Sequence, residues 1–393
     1  MDLTYINWTG DTFTPTQSQS ISTWVWEMCK VAQEEDGLEP LVISREATAE
    51  SYPWPNLVLL KYPWLPSFRG SGIGRLLKMQ QKWMGWGHPR QQTYVRRVAR
   101  ELEKLGVQNS AIVLHNDPEM AVLLRRHFPQ IFIHLHIHCE TICLEPIRSQ
   151  VSKSVDLATA VSSYIANYNK QYFGFDKVDT LYNGCDTKLY FPEDMELPGK
   201  VVINYCGRIQ DTKGVDILLL AACKLAQLTQ DFEIQILGDM SENGGDSSYR
   251  KRIKELAADL EKLGISVRMP GFVSRADVPK ELRKASVHVV PSRWDEPCAL
   301  ALFEGMAAGL ATVASRTGGT PEVVGDGGQL FERDDVEGLA NILAELVGSR
   351  ESRRYWQKLA RNRAEHFTWS RTWNGLKASL THQWECKSSR VCG

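Results

Sequence analysis

The sequence lacks an excess of charge of either sign. Its 393 residues carry 46 Lys and Arg against 47 Asp and Glu. A net charge of −1 leaves no general cationic surface for coating nucleic acid, and no nucleic-acid partner is expected. No run approaches 18 apolar residues, so no membrane-spanning helix is expected. The nine cysteines include no C-x2-C pair, which leaves neither a zinc ribbon nor a disulfide framework to read. Scattered and odd in number, they suit free thiols in a reducing compartment, and a cytoplasmic location is expected. The opening stretch "MDLTYINWTGDTFT" has no basic segment followed by an apolar core, so it does not read as a secretory leader. Solenoid repeats and low-complexity segments are also missing. What is present is the composition of an ordinary globular protein, 43% apolar and 24% charged, with length enough for two full cores.

The second half shows its pattern most openly. Short apolar runs ("VVINYC", "FEIQILG", "SVRMPG", "VHVVPS", "ATVAS") alternate with helix-period segments. In "YRKRIKELAADLEKLG", Ile253, Leu256, Leu260 and Leu263 fall at helical spacing and Gly264 ends the helix. "DDVEGLANILAELVGS" predicts a helix capped by Asp334 or Asp335. Strands alternating with helices predict a parallel sheet covered on both faces, one doubly wound domain over 196–365. The first half repeats the pattern over 1–190, in "LTYINW", "PLVIS", "NLVLLKY", "AIVLHND" and "IFIHLHIH" with helices between them. The fold class expected is therefore α/β, with two doubly wound Rossmann-like domains. Ligands in such sheets bind beyond the carboxyl ends of the strands, and two facing units would share one cleft.

Four stretches carry chemistry. Residues 61–104 hold ten Lys and Arg against Glu101 and Glu103, with Trp64, Phe68, Trp83 and Trp86 interleaved. That pattern suits either peripheral contact with an anionic membrane or acceptor, or a solvated helical face. "YCGRIQDTKG" puts Arg208 and Lys213 just beyond a strand, where two cations suit a diphosphate, although surface cations beside a loop are common. "PSRWDEPCALALFEGMAAG" runs from a strand through Glu296 and Pro297 into a helix whose first amides form an anion site. Glu304 lies on that helix among small and apolar neighbours, as a carboxylate able to accept hydrogen bonds from a vicinal diol. "IHLHIHCE" puts His134, His136 and His138 on one face of a strand, open to reading as metal ligands, a catalytic base or a polar edge of the core.

Taken together, "GRIQDTKG" and "EPCALALFEGMAAGLATVASRTGGTPEVV" resemble the retaining family 4 glycosyltransferases of the GT-B fold (glycosyl transferases group 1). Glu296 and Glu304 match that family's Glu–seven residues–Glu motif, and "AVSSYIA", "LYNGCDTKLYFP" and "LGD" match in order. The resemblance is dense in the C-terminal half and thin over the first 110 residues.

The resemblance implies a retaining, metal-independent hexosyltransferase with a nucleotide-diphosphate sugar as co-substrate and no cofactor. Its acceptor would be the hydroxyl of a glycan or lipid-linked molecule. Arg208 and Lys213 would hold the donor diphosphate, and Glu304 the ribose hydroxyls. Glu296 would face the transferred sugar, with backbone amides near Cys298, Ala299 and Leu300 on sugar and phosphate. The turn from Gly271 to Val273 would lie near the base. A histidine near the end of the "IHLHIH" strand would touch the transferred sugar, His136 before His138. The last helix, 366–385, would pack back on the first domain, leaving the tail from Cys386 disordered. The sequence departs from the family where paired glycines normally follow the first strand. Here Ser18, Gln19 and Ser20 stand, and the side chains at 19 and 20 would narrow the approach to the donor phosphate, or Ser20 would donate hydrogen bonds instead. Two other readings stay open: a non-catalytic sugar-nucleotide or glycan binder, and a metal-dependent hydrolase built on the three histidines with His115, Asn116 and Asp117.

Overall fold

A computed structural model describes residues 2–15, 20–62, 89–107, 110–193, 199–240 and 247–391, with 89–90 and 388–391 described by backbone alone. The chain forms two compact units, Met1–Tyr182 with Thr372–Gly393, and Asn183–Arg371. The division falls earlier than the 190–196 read from the sequence, because "NGCDTKLYFP" is tied to the second unit. The Cys185 amide donates to the Phe367 carbonyl at 2.8 Å, and the Arg361 guanidinium donates to the carbonyls of Thr187 and Tyr190.

The first unit is built on strands β1 (Leu3–Ile6), β2 (Leu41–Arg45), β3 (Leu57–Leu60), β4 (Ala111–His115), β5 (Phe132–Ile137), β6 (Leu157–Ala160) and β7 (Asp179–Thr180). All pair in parallel, in the order β3-β2-β1-β4-β5-β6-β7. Its helices are α1 (Ser20–Asp36), α2 (Pro89–Lys104), α3 (Pro118–His127), α4 (Arg148–Ser154) and α5 (Ser163–Phe173). Every residue of β4 and β5 is buried, as expected of central parallel strands covered on both faces. Strand β3, at the edge, is only half-buried. Local caps fix the crossings. Asp117 accepts from the Met120 amide at 2.9 Å to start α3, and α5 ends on Gly174 at φ 69°.

The second unit holds β8 (Val201–Cys206), β9 (Phe232–Leu237), β10 (Val267–Gly271), β11 (Val287–Val290), β12 (Ala311–Ser315) and β13 (Gly328–Phe331), parallel in the order β10-β9-β8-β11-β12-β13. Helices α6 (Val215–Leu225), α7 (Ser247–Lys262), α8 (Val278–Leu282), α9 (Leu300–Ala307), α10 (Thr320–Val324), α11 (Val336–Gly348) and α12 (Arg350–Ala364) follow. Ile203, Ile234, Val287 and Val313 of the sheet pack with Leu218, Leu219 and Leu343 of the helices into one core. Of the two candidate caps for α11, Asp335 accepts from the Gly338 amide at 2.8 Å, while Asp334 takes a left-handed φ of 62°.

The last helix, α13 (Trp369–Val391), runs further than expected. Its tail is helical to Val391 rather than disordered, because Lys387 bonds Asp156 at 3.0 Å and the Ile131 carbonyl at 2.9 Å. Trp373 and Lys377 both reach Asp36 of α1, at 2.6 and 2.7 Å. No described helix is long and apolar enough to cross a membrane. The aromatic part of the basic segment, residues 63–88, lies outside the described residues, as do Ser18 and Gln19.

Candidate active site

In the second unit the strand order reverses between β8 and β11, and the loops leaving these two strands meet. Backbone proximity shows it. A Cβ on Gly214, which sits at φ 65°, would lie 1.9 Å from the Pro291 carbonyl oxygen, so only glycine fits. A Cβ on Gly238, after β9, would lie 2.3 Å from the Gly207 carbonyl oxygen. A one-turn 3-10 helix, Asp211–Lys213, ends on Gly214 and delivers Lys213 to the β11 loop.

There Lys213 Nζ meets Glu296 Oε1 at 2.5 Å, with the two side chains 17% and 3% exposed. Ser292 Oγ donates to the same oxygen at 2.5 Å. A buried ion pair adds little net stability, but removing one partner strands the other and typically costs about 3–5 kcal/mol. Lys213 also lies 5.0 Å from the centroid of Trp294, in a cation–π contact. The Gly319 amide donates to the Glu296 carbonyl at 2.7 Å, and at Gly318 (φ 49°) a Cβ would strike that carbonyl oxygen at 2.4 Å. Arg293 braces the loop from behind, gripping Asp216 with two bonds of 2.7 and 2.8 Å. Burial alone would raise the pKa of Asp216. Its bonds to Arg293 and Tyr249 outweigh that, and the group is held below the usual carboxylate range.

Arg208 sits in the same β8 loop, exposed, its carbonyl held by the Tyr205 hydroxyl at 2.7 Å. Its guanidinium has no ion pair or hydrogen bond with the described residues. Helix α9 begins at Leu300 with Ala299 at its N-cap and no side-chain cap, so its first amides are left for a ligand or water. Cys298 is buried, its carbonyl takes a 2.9 Å bond from Asn183, and burial pushes its thiol up to about 12. Glu304 lies on α9 with its side chain 13% exposed, 4.0 Å from Arg275. Gly271, at φ 84°, ends β10, with Val273 half-buried just beyond. The structure thus brings Lys213 and Glu296 into contact. Arg208, the Cys298–Leu300 backbone, Glu304 and the Gly271–Val273 turn lie along the same strand ends.

Tyr190 was not read from the sequence. Its side chain is buried, and its hydroxyl has no hydrogen bond among the described residues. Burial first, then the Glu304 charge, raises its pKa, which puts the phenol in that carboxylate's field. Its only sequence signal is its place in "LYNGCDTKLYFP".

The first unit corrects the histidine reading. His136 does not point to a ligand. It is 0% exposed, its ring centroid 4.6 Å from that of Trp24 on α1, with Nδ1 2.7 Å from the Thr159 hydroxyl. Helix α1 covers that face of the sheet, so the alternating histidines run under it. His134 is equally buried and shares the Thr159 hydroxyl at 2.7 Å. His138, one residue past β5, is the most accessible of the three at 7%. Its Nε2 lies 3.0 Å from His115 Nδ1, and its amide donates to Asn116 Oδ1 at 2.6 Å. Asn116 takes a left-handed φ of 51° to reach it. Burial lowers all four imidazoles, His134 and His138 to about 3, so the cluster is neutral. Among the described residues no three His, Cys, Asp or Glu side chains are grouped to hold a metal ion. Ser20 opens α1 and is exposed.

Two doubly wound parallel sheets flanked by helices are the architecture of the GT-B fold. Residues 189–363 match the model of the family described as Glycosyl transferases group 1. Spore coat protein SA of Bacillus subtilis is 28% identical over 313 residues, 74% of this chain and 82% of that protein. A D-inositol 3-phosphate glycosyltransferase of Thermobifida fusca is 30% identical over 53% of this chain, and the match spans 51% of its own length. Among solved structures, sucrose-phosphate synthase of Thermosynechococcus elongatus superposes with a TM-score of 0.77 over 98% of this chain and 100% of its own, at 18% identity. Anabaena HepE in complex with UDP gives 0.71 over 97% and 100%, also at 18%. At that identity the structures speak for the fold.

Proposed function

We propose that the chain is a retaining glycosyltransferase that moves a hexose-type sugar from a nucleotide-diphosphate sugar to an acceptor hydroxyl, in the synthesis of a glycan, polysaccharide or glycolipid. The observation that carries this is the β8–β11 edge, where Lys213 lies 2.5 Å from Glu296 with Arg208 exposed in the same loop. The UDP complex of HepE, which shares the fold, supports the donor class.

In this reading the bond from the anomeric carbon to the diphosphate oxygen breaks. The departing oxygen takes the acceptor hydroxyl's proton, and the acceptor oxygen bonds the same face of the sugar. Arg208, Lys213 and the first amides of α9 stabilise the negative charge that grows on the diphosphate, as fixed positive potential already in place. Lys213 is held ready by Glu296, which keeps the Ser292 hydrogen bond when the lysine turns to phosphate. Glu304 accepts from the ribose hydroxyls, and the Tyr190 phenol beside it is free to join them. No metal is required, because these groups supply the positive charge.

The test is a panel of nucleotide sugars with hydroxyl acceptors, the product read by proton NMR. Retention of the anomeric configuration and turnover undiminished by a chelator are expected. Inversion, or loss of activity restored by a divalent cation, contradicts the mechanism.

A further inference from the structure

The loop that leaves β11 carries a large exposed apolar side chain, Trp294, 37% exposed. Single exposed apolar residues are ordinary on a protein surface. This one differs in how it is held and in what it stands beside.

Both neighbours of Trp294 are tied down, by charges of opposite sign. Arg293 donates to Asp334 at 2.7 Å, and Arg333 donates to Asp295. Arg333 and Asp334 adjoin in the loop from β13 to α11, so Arg-Trp-Asp of one loop meets Arg-Asp of the other with the signs matched crosswise. The Arg333–Asp295 pair is well exposed and adds little stability by itself. Backbone bonds add to it. The Arg293 amide donates to the Thr212 carbonyl at 2.9 Å, the Trp294 amide points to the same oxygen at 3.4 Å, and the Gly318 amide donates to Asp295 Oδ1 at 3.2 Å. Arg293 also holds the Asp211 carboxylate at 3.1 Å, in the 3-10 helix that carries Lys213. The backbone under the indole is therefore fixed from several sides, and the ring's exposure does not come from a loose loop.

The ring centroid lies 5.0 Å from Lys213 Nζ, the cation assigned above to the donor diphosphate. The indole Nε1–H makes no hydrogen bond with the described residues. A sugar joined to a phosphate on Lys213 begins one bond beyond that phosphate, so its ring comes within reach of the indole. A pyranose has an apolar C–H face and a hydroxylated rim. A fixed indole with a spare N–H offers the match, a flat apolar surface and one donor. We propose, resting on the donor-site reading above, that Trp294 is the platform on which the transferred sugar stacks, and that it selects a pyranose with an open C–H face. An indole that only shielded the Lys213–Glu296 pair would serve a nucleoside diphosphate and its sugar conjugate alike.

The test is calorimetric titration of the full chain with UDP, GDP and ADP, and with their glucose, mannose and N-acetylglucosamine conjugates. For the base that wild type binds, Trp294→Ala is expected to weaken the sugar conjugate at least about fivefold and to leave the nucleoside diphosphate within about twofold. Trp294→Phe keeps a flat ring and is expected to recover most of the lost affinity, which a collapsed loop would not. Equal weakening of both ligands, or of neither, overturns the platform and leaves the donor site standing. So does a wild type that binds a nucleoside diphosphate and none of its conjugates. Binding of none of these ligands to wild type removes the donor-site reading, and the platform with it.

Discussion

The two units share a sheet architecture and differ in what fills the reversal of strand order. In the second unit that point is charged and open at its rim, with the Lys213–Glu296 pair braced by Arg293 and an exposed Arg208. In the first it is closed over by α1 and filled with neutral rings, His115, His134 and His136 under Trp24 and Tyr5, all 0% exposed. The same geometry of strand ends therefore presents cations in one unit and buried imidazoles in the other. The lesson is that a strand's histidines are read by what covers them and not by their spacing.

The largest effect that separates the units is catalytic. Arg208→Ala is expected to reduce sugar transfer by about 10²–10³ with stability unchanged, since its guanidinium makes no ion pair or hydrogen bond with the described residues. Lys213→Ala is expected to lose as much transfer and also about 3–5 kcal/mol of stability, because it strands a carboxylate 3% exposed. Chemical denaturation beside initial rates separates the two. Equal stability of both variants would break the view of Glu296 as a buried partner.

Acid is the next lever, and it acts on the other unit. His134 and His138 have folded pKa values near 3, below the ordinary ~6.5 of an unfolded histidine. The unfolded chain takes up these protons first. Their stabilisation is full above pH ~6.5 and is lost as pH falls towards 3, on the order of 2 kcal/mol per histidine by pH 5. His115 and His136 act in the same direction. Asp117 opposes them, because burial raises it to about 6 and its protonation below that pH is favourable, but it is one group against four. Among the described residues the second unit has one such histidine, His288, lowered to about 4. Hydrogen exchange between pH 7 and 5 is expected to show the first unit opening before the second. The reverse order would break the comparison.

Two smaller changes sharpen it. Gly318→Ala puts a Cβ 2.4 Å from the Glu296 carbonyl oxygen at a φ of 49°, and is expected to cost about 1–3 kcal/mol and to slow transfer by moving Glu296. Trp294→Ala removes only the ring beside Lys213, and a loss of about 0.5–1 kcal/mol is expected from thermal unfolding.

How much of this the sequence held differs by unit in the same way. Both parallel sheets were legible, because strands buried on both faces read as apolar runs and their helices as 3.6-residue patterns. The places of Lys213, Glu296 and Glu304 in the second unit were legible too, since each lies within a few residues of a strand end or helix start. What was not legible depends on partners distant in the chain. Trp24 over His136, Arg361 tying Tyr190 into the second unit, and Lys387 holding the last helix to Asp156 leave no local signal. The burial of His136 under Trp24 was not legible for that reason, since strand periodicity gives a face but not its cover.

The central claim is that the β8–β11 edge of the second unit holds a nucleoside diphosphate. The most direct measurement is the affinity of wild type and of Arg208→Ala for a panel of nucleoside diphosphates, by calorimetry. We expect one nucleotide to bind wild type with clear preference and the variant to bind it at least about tenfold more weakly. Equal affinity in the two proteins, or no binding of any nucleotide to wild type, would contradict the account.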